Sequence, residues 1–167
     1  MLNKGYATAK KTPEADENFT PFYAVEPIIK YIPKNSKVWL PFDQEWSAFN
    51  VLLKEHGIKT IPTHIEKGFD FFQYEPKTYD LIVSNPPYSI KDKVIKRLYE
   101  LNKPFMILLP LPALQGKERY KYFKNGLQLL TFDSRISFHN KDNLDKPTEG
   151  TPFATAYFIG GGCSRKI

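Results

Sequence analysis

Two adjacent prolines set the tightest constraint on this chain. Pro86 and Pro87 follow the β-branched and aromatic run Tyr79-Asp80-Leu81-Ile82-Val83. They precede residues 90–101, where Ile90, Val94, Ile95, Leu98 and Leu101 recur near helical spacing. Each proline fixes one φ angle and removes one backbone donor, and Pro86 biases Asn85 toward an extended conformation. Ser84-Asn85-Pro86-Pro87-Tyr88-Ser89 therefore reads as a stiff corner between a buried strand and a helix. The corner is expected to expose the Asn85 amide, bare carbonyls and the Tyr88 ring.

Such a corner suits chemistry at an amine conjugated to a ring, whose lone pair is delocalised and poorly nucleophilic. Two acceptors, the Asn85 side-chain oxygen and the Pro86 carbonyl, would bind both amine hydrogens and draw the nitrogen toward a tetrahedral state. Pro87 leaves no N–H to compete, and Tyr88 offers a face for a planar substrate. Asn85 does not ionise, so its role is acceptor and positioner, not base. Two prolines alone read as a stiffened loop with Tyr88 packed over a helix start. The complete tetrad at the end of a hydrophobic strand favours function.

The rest of the chain alternates strands and helices. Thr20-Pro21 predicts an N-cap and a first helical residue, with the helix running over residues 22–31 and stopping before Pro33. Lys37–Leu40 reads as a strand, and residues 47–56 as a helix with Gly57 ending it. Strands follow at residues 59–65, 79–83, 105–109, 127–132 and 154–160, with a further helix over residues 116–124. Short connections between alternating elements predict an α/β domain over residues 19–162, with a mostly parallel central sheet, helices on both faces and an antiparallel C-terminal hairpin. Residues 1–18, charged and without periodicity, read as a flexible arm, and residues 163–167 as a tail. The polar connection 140–151 either touches a ligand or forms a hairpin tip. In a parallel sheet, ligands bind beyond the carboxyl ends of the strands where the strand order switches. If the strands ending at Leu40 and Val83 are neighbours, the two loops that leave them share one site.

At the tetrad the chain resembles the S-adenosylmethionine-dependent amino-methyltransferases, and most closely the adenine-N6 DNA methyltransferases. Thr20-Pro21 with Ala24-Val25-Glu26-Pro27-Ile28 is similar to that family's N-terminal cofactor segment. Asp70-Phe71-Phe72 is similar to its adenine-contacting acidic segment. Arg135-Ile136-Ser137-Phe138 with residues 152–158 is similar to the closing hairpin of its catalytic domain. The resemblance covers most of residues 19–160 and implies a Rossmann-like methyltransferase fold with S-adenosylmethionine as cofactor. It implies catalytic roles for Asn85, Pro86, Pro87 and Tyr88. Cofactor contacts would come from Thr20, Pro21, Pro41, Phe42, Asp43, His64, Asp70, Phe71 and Asn85. Substrate contacts would come from Tyr88, Lys91, Arg119, Arg135 and Phe138, with His139 beside the last.

One departure concerns residues 41–46, Pro-Phe-Asp-Gln-Glu-Trp, where the family carries glycines that let backbone approach the cofactor. Here Asp43 is expected to pair with the cofactor's ammonium group, Ser47 to cap the next helix, and Trp46 to pack. His64 and Glu66 are both candidates for the ribose hydroxyls. Asp70 reads either as an adenosine ligand or as a loop cap.

Composition narrows the partners. Residues 1–80 hold ten Lys/Arg against eleven Asp/Glu, and residues 81–167 fourteen against seven, so the whole excess of the +6 net charge lies in the half that carries the tetrad. A polyanion, DNA or RNA, fits that asymmetry. One cysteine and three scattered histidines give no metal cluster or disulfide framework. No apolar run has membrane-spanning length, which points to a cytoplasmic protein, monomeric or weakly dimeric. The chain carries no separate target-recognition region, which suggests a short site, an RNA target or recognition by a partner subunit. Related tetrads in glutamine and guanine amino-methyltransferases, and a non-catalytic binding module, are the alternatives.

Overall fold

A sheet covered on both faces needs strands apolar at successive positions, and the strand segments here have that composition. The structure, a computed structural model, describes residues 19–139 and 153–162. The expected arm 1–18, the connection 140–151 and the tail 163–167 lie outside the described residues. In chain order the elements are α1 (Phe22–Ile29), β1 (Lys37–Leu40), α2 (Ala48–Glu55), β2 (Lys59–Pro62), β3 (Leu81–Ser84), α3 (Lys91–Leu101), β4 (Phe105–Pro110), α4 (Lys117–Phe123), β5 (Gln128–Thr131) and β6 (Thr155–Gly160).

The six strands form one mixed sheet in the order β2-β1-β3-β4-β6-β5. The first four are parallel; β6 runs antiparallel to both β4 and β5. The C-terminal antiparallel pair is as expected, but β6 lies inside β5, between it and β4. Alternation along the strands divides the core in two. Val38, Leu40, Leu81, Val83, Met106, Leu108, Tyr157 and Ile159 pack with Ala24, Val25 and Ile28 of α1 and with Phe49, Leu52 and Leu53 of α2. Trp39, Ile82, Phe105, Ile107, Leu109 and Phe158 pack with Val94, Ile95 and Leu98 of α3, joined by Tyr122 and Phe123 of α4.

Two local expectations change and a third holds. The N-cap of α1 is Pro21, at φ −70° and ψ 154° and without a capping side chain, not Thr20, whose hydroxyl bonds elsewhere. β2 stops at Pro62, because His64 caps a short 3-10 turn, Ile65–Lys67, by accepting from Glu66 N at 3.2 Å. Ser47 does cap α2, accepting from Asn50 N at 3.2 Å, and left-handed Gly57 follows its last turn.

The fold meets the future site through β1. Neighbours β1 and β3 pair in register Val38↔Leu81 and Trp39↔Ile82, so their carboxyl ends emerge side by side. Trp39 is fully buried, packs against Phe71, Tyr74 and Tyr79 with centroids at 5.4, 6.3 and 5.2 Å, and donates from Nε1 to Thr63 Oγ1 at 2.8 Å. We predict that Trp39→Ala lowers the unfolding free energy by about 3–5 kcal/mol. A drop in the urea midpoint would show it; an unmoved midpoint would deny Trp39 its role in holding the β1 and β2 ends together.

Candidate functional site

Four segments converge at the carboxyl ends of β1, β2 and β3. The entry to α1 brings Thr20 and Pro21, the β1 loop brings residues 41–48, the β2 loop brings residues 64–72, and the β3 corner brings Asn85 and Pro87. Together they line one cleft of about 840 Å³, a size suited to a small ligand or cofactor. All nine residues expected at the cofactor, from Thr20 to Asn85, line it.

The cleft has two different ends. Phe42, Phe69, Phe71 and Phe72 form an aromatic compartment, with Phe42–Phe71 and Phe71–Phe72 centroids at 5.0 and 5.4 Å. Asp70 stands among them, and its Oδ1 accepts from Phe72 N at 2.9 Å, so the loop-cap reading of Asp70 is correct as far as that oxygen goes. Toward the other end lie Asp43, Ser47, Thr20 and Asn85. Between them Gln44 Nε2 donates to Glu66 Oε2 at 2.8 Å, and His64 stands buried beside Glu66 at 3.7 Å.

Electrostatics are the cleft's strongest character. Its lining holds four carboxylates, Glu26, Asp43, Glu66 and Asp70, and among the described residues no lysine or arginine. Asp43 is 8% exposed. Burial lifts its carboxyl from the ordinary value of 3.8 to about 6, against the opposing hydrogen bonds from Ser84 and Ser47. Ser84 Oγ donates to Asp43 Oδ2, joining the last residue of β3 to the β1 loop.

That loop turns without glycine and without strain, since among the described non-glycine residues only Asn102 has positive φ. Buried Asn50 of α2 holds it, donating from Nδ2 to the Glu45 carbonyl at 2.6 Å and accepting from Thr60 Oγ1 at 2.7 Å. Asp43 N donates to the Thr63 carbonyl at 3.2 Å. The missing glycines are therefore no obstacle to this conformation. Trp46 is not core packing: it is 54% exposed at the cleft, edge-on to Phe19 at 4.8 Å.

The proline corner is less open than its sequence suggests. Asn85 and Pro87 are half-buried and face the cleft, whereas Pro86 is buried and does not line it. Pro87's carbonyl accepts from Ile90 N at 3.2 Å, closing the corner. Tyr88 is 7% exposed and packs against Phe138 and Phe153, with centroids at 6.4 and 5.9 Å, so its ring is not presented for stacking. Phe138 is fully buried and supports Tyr88 from within the core. Neither ring is exposed for stacking in this conformation.

The expected cations lie outside the cleft. Arg119 is a clamp: Nε donates to the Ala113 carbonyl at 2.7 Å, one Nη to Asp92 Oδ1 at 2.6 Å and the other to the Gln115 carbonyl. Its guanidinium lies where a Cβ on Gly116 would stand, 2.6 Å away. Arg119 is thus committed to joining α3 and α4. Lys91 is half-buried at the start of α3, and Arg135 is exposed.

Sequence reasoning did not single out Ser84, Phe19, Phe22 or Tyr23, and it named Glu26 only within the segment 24–28. Ser84 carried the one usable signal, a hydroxyl at the buried end of a strand beside the tetrad. Phe19 reaches the cleft through a bridge to His139, with Phe19 N to His139 O at 2.7 Å and His139 N to Phe19 O at 3.0 Å, and no local pattern announces that pairing. Phe22, Tyr23, Trp46 and Ile65 are each at least half exposed and border the cleft mouth. Comparison with protein-family models and with curated proteins finds no match.

The Asp43 carboxyl makes stability depend on pH. Its folded value lies above its unfolded value, so the fold retains the proton more tightly from about pH 4 to about 6. That contribution is full below about pH 4 and is lost as pH rises through about 6, after which the buried charge costs about 3 kcal/mol. Asp43→Asn still accepts from Ser84 and carries no charge. The variant is predicted to be more stable than wild type above pH 6 and equal to it near pH 4, in urea unfolding at both values. A difference independent of pH would mean that Asp43 titrates as an ordinary carboxylate.

Proposed function

We propose that this protein is an S-adenosylmethionine-dependent methyltransferase that acts on an exocyclic amine, adenine N6 in nucleic acid, with a Rossmann-like methyltransferase fold. The observation that carries the reading is the pairing of the Asn85 corner with an acidic, aromatic cleft that, among the described residues, holds no lysine or arginine. Nucleotide cofactors with a phosphate chain need cations or bare helix N-termini to hold it. A cleft with four carboxylates favours a cationic ligand instead, and the four phenylalanines of its aromatic compartment suit a flat heterocycle. S-adenosylmethionine has both characters, and when bound it supplies an electrophilic methyl group on a sulfonium sulfur.

The chain's own residues then divide the work. Asp43 faces the ligand's ammonium group, and its ionised form is the one that binds. Phe42, Phe71 and Phe72 wall the heterocycle, with Asp70 at their edge. Glu66, held by Gln44, and buried His64 line the cleft and would recognise a ribose diol. Asn85 accepts from the substrate amine, fixes its orientation and draws its nitrogen out of conjugation. Its contribution is positioning and polarisation, with no ionisable base. The basic excess of residues 81–167 supports a polyanionic substrate. DNA is the first to test, RNA the second, and recognition of a particular sequence would fall to a partner subunit or a short site.

Calorimetric titration with S-adenosylmethionine and with its demethylated product is expected to show binding to the wild-type chain that weakens in Asp70→Ala. Asn85→Ala is expected to keep that affinity and lose at least about a hundredfold in methyl transfer to unmethylated DNA or RNA. No binding of either compound would sink the reading, and full activity in Asn85→Ala would remove the mechanism.

A further inference from the structure

We infer that Thr20 is a positioning residue for Asn85, an inference that rests on the methyltransferase reading. Asn85 Nδ2 donates to Thr20 Oγ1 at 3.1 Å across a sequence separation of 65 residues. An asparagine amide presents an acceptor on one side and two donors on the other. The substrate amine brings donors, so only one of the two amide orientations is productive. With Nδ2 directed at Thr20, the acceptor that the reading assigns to the amine is Oδ1, which is buried in this conformation. Thr20 supplies the acceptor that this orientation requires. A hydroxyl also donates, and an amine bound at Oδ1 selects the arrangement in which Thr20 accepts.

The hydroxyl can hold another residue because its own backbone is held on both sides. Phe19, immediately before it, is paired with His139 by two backbone hydrogen bonds of 2.7 and 3.0 Å. Pro21, immediately after, is fixed at φ −70° as the cap residue of α1, and its carbonyl accepts from Ala24 N at 3.1 Å. Thr20 is therefore a short bracket between a bridge and a proline, and Asn85 hangs from it. This accounts for a Thr-Pro pair whose threonine does not cap the helix that follows.

The test compares wild type, Thr20→Val and Thr20→Ser in single-turnover methyl transfer to unmethylated DNA at saturating S-adenosylmethionine. Thr20→Val keeps the shape and removes the acceptor; it is expected to slow transfer by roughly threefold to tenfold, the worth of one neutral hydrogen bond. Thr20 also lines the cleft, so cofactor affinity is measured on the same variants by calorimetry; transfer at saturation is expected to fall by more than any change in affinity accounts for, and Thr20→Ser restores the rate. Unchanged transfer in Thr20→Val overturns the inference, as does a loss of cofactor affinity that accounts for the whole effect. A second readout needs no turnover: the Nδ2 protons of Asn85, followed by 15N NMR in the free protein, should show a nuclear Overhauser contact to the Thr20 methyl and broaden in Thr20→Val. An amide equally mobile in both proteins overturns the inference on its own. A held amide in a wild-type protein that transfers no methyl group sinks the methyltransferase reading instead.

Discussion

The site depends on one hydrogen bond between the ends of two parallel strands. β1 and β3 are neighbours, and Ser84, the last residue of β3, donates to Asp43 in the loop that leaves β1. A strand order in which β3 lay elsewhere would separate the acidic loop from the Asn85 corner. The bond fixes one of the cleft's four carboxylates and, one residue further on, the backbone of Asn85. It also offsets part of the cost of burying that carboxylate, which still carries a pKa near 6. Stability is therefore given up at the point where charge is useful, as is common at functional sites.

Charge is distributed with the same logic across the chain. The basic excess lies in residues 81–167, yet among the described residues none of those lysines or arginines lines the cleft. Arg119 ties α4 to α3 through Asp92, and Lys121 pairs with Glu118 one turn away. On the methyltransferase reading, an acidic cleft beside a basic second half would separate two ligands by sign, a cation in the cleft and a polyanion outside it, with neutral Asn85 between them.

What the sequence revealed and concealed follows from how local each determinant is. The strands, α2 with its Ser47 cap, and the proline corner were readable because periodicity, capping chemistry and proline geometry act over a few residues. The nine cofactor-side residues converge because three of their four segments leave neighbouring strand ends. Tyr88 and Phe138 misled for the opposite reason. An aromatic residue in a loop looks available, and only tertiary packing, here of each ring on the other, shows that it is buried. Arg119 looked like a substrate cation because its three acceptors, two of them backbone carbonyls, are invisible in sequence. The placement of β6 between β4 and β5 had no sequence signal at all.

The glycine-free loop carries a consequence for selectivity. A glycine-rich turn recognises its ligand with backbone N–H groups, which favour anions as readily as they favour a close fit. Residues 41–47 instead turn through ordinary φ values, anchored by Asn50 and Thr63, and put a carboxylate forward. A side-chain charge in a buried position discriminates by sign far more than by shape, since an anionic ligand would meet an unscreened repulsion there. On the methyltransferase reading, selection for a cationic group would be built into the same residues that make the turn, and the absence of glycine would be a different way of binding rather than the loss of a site.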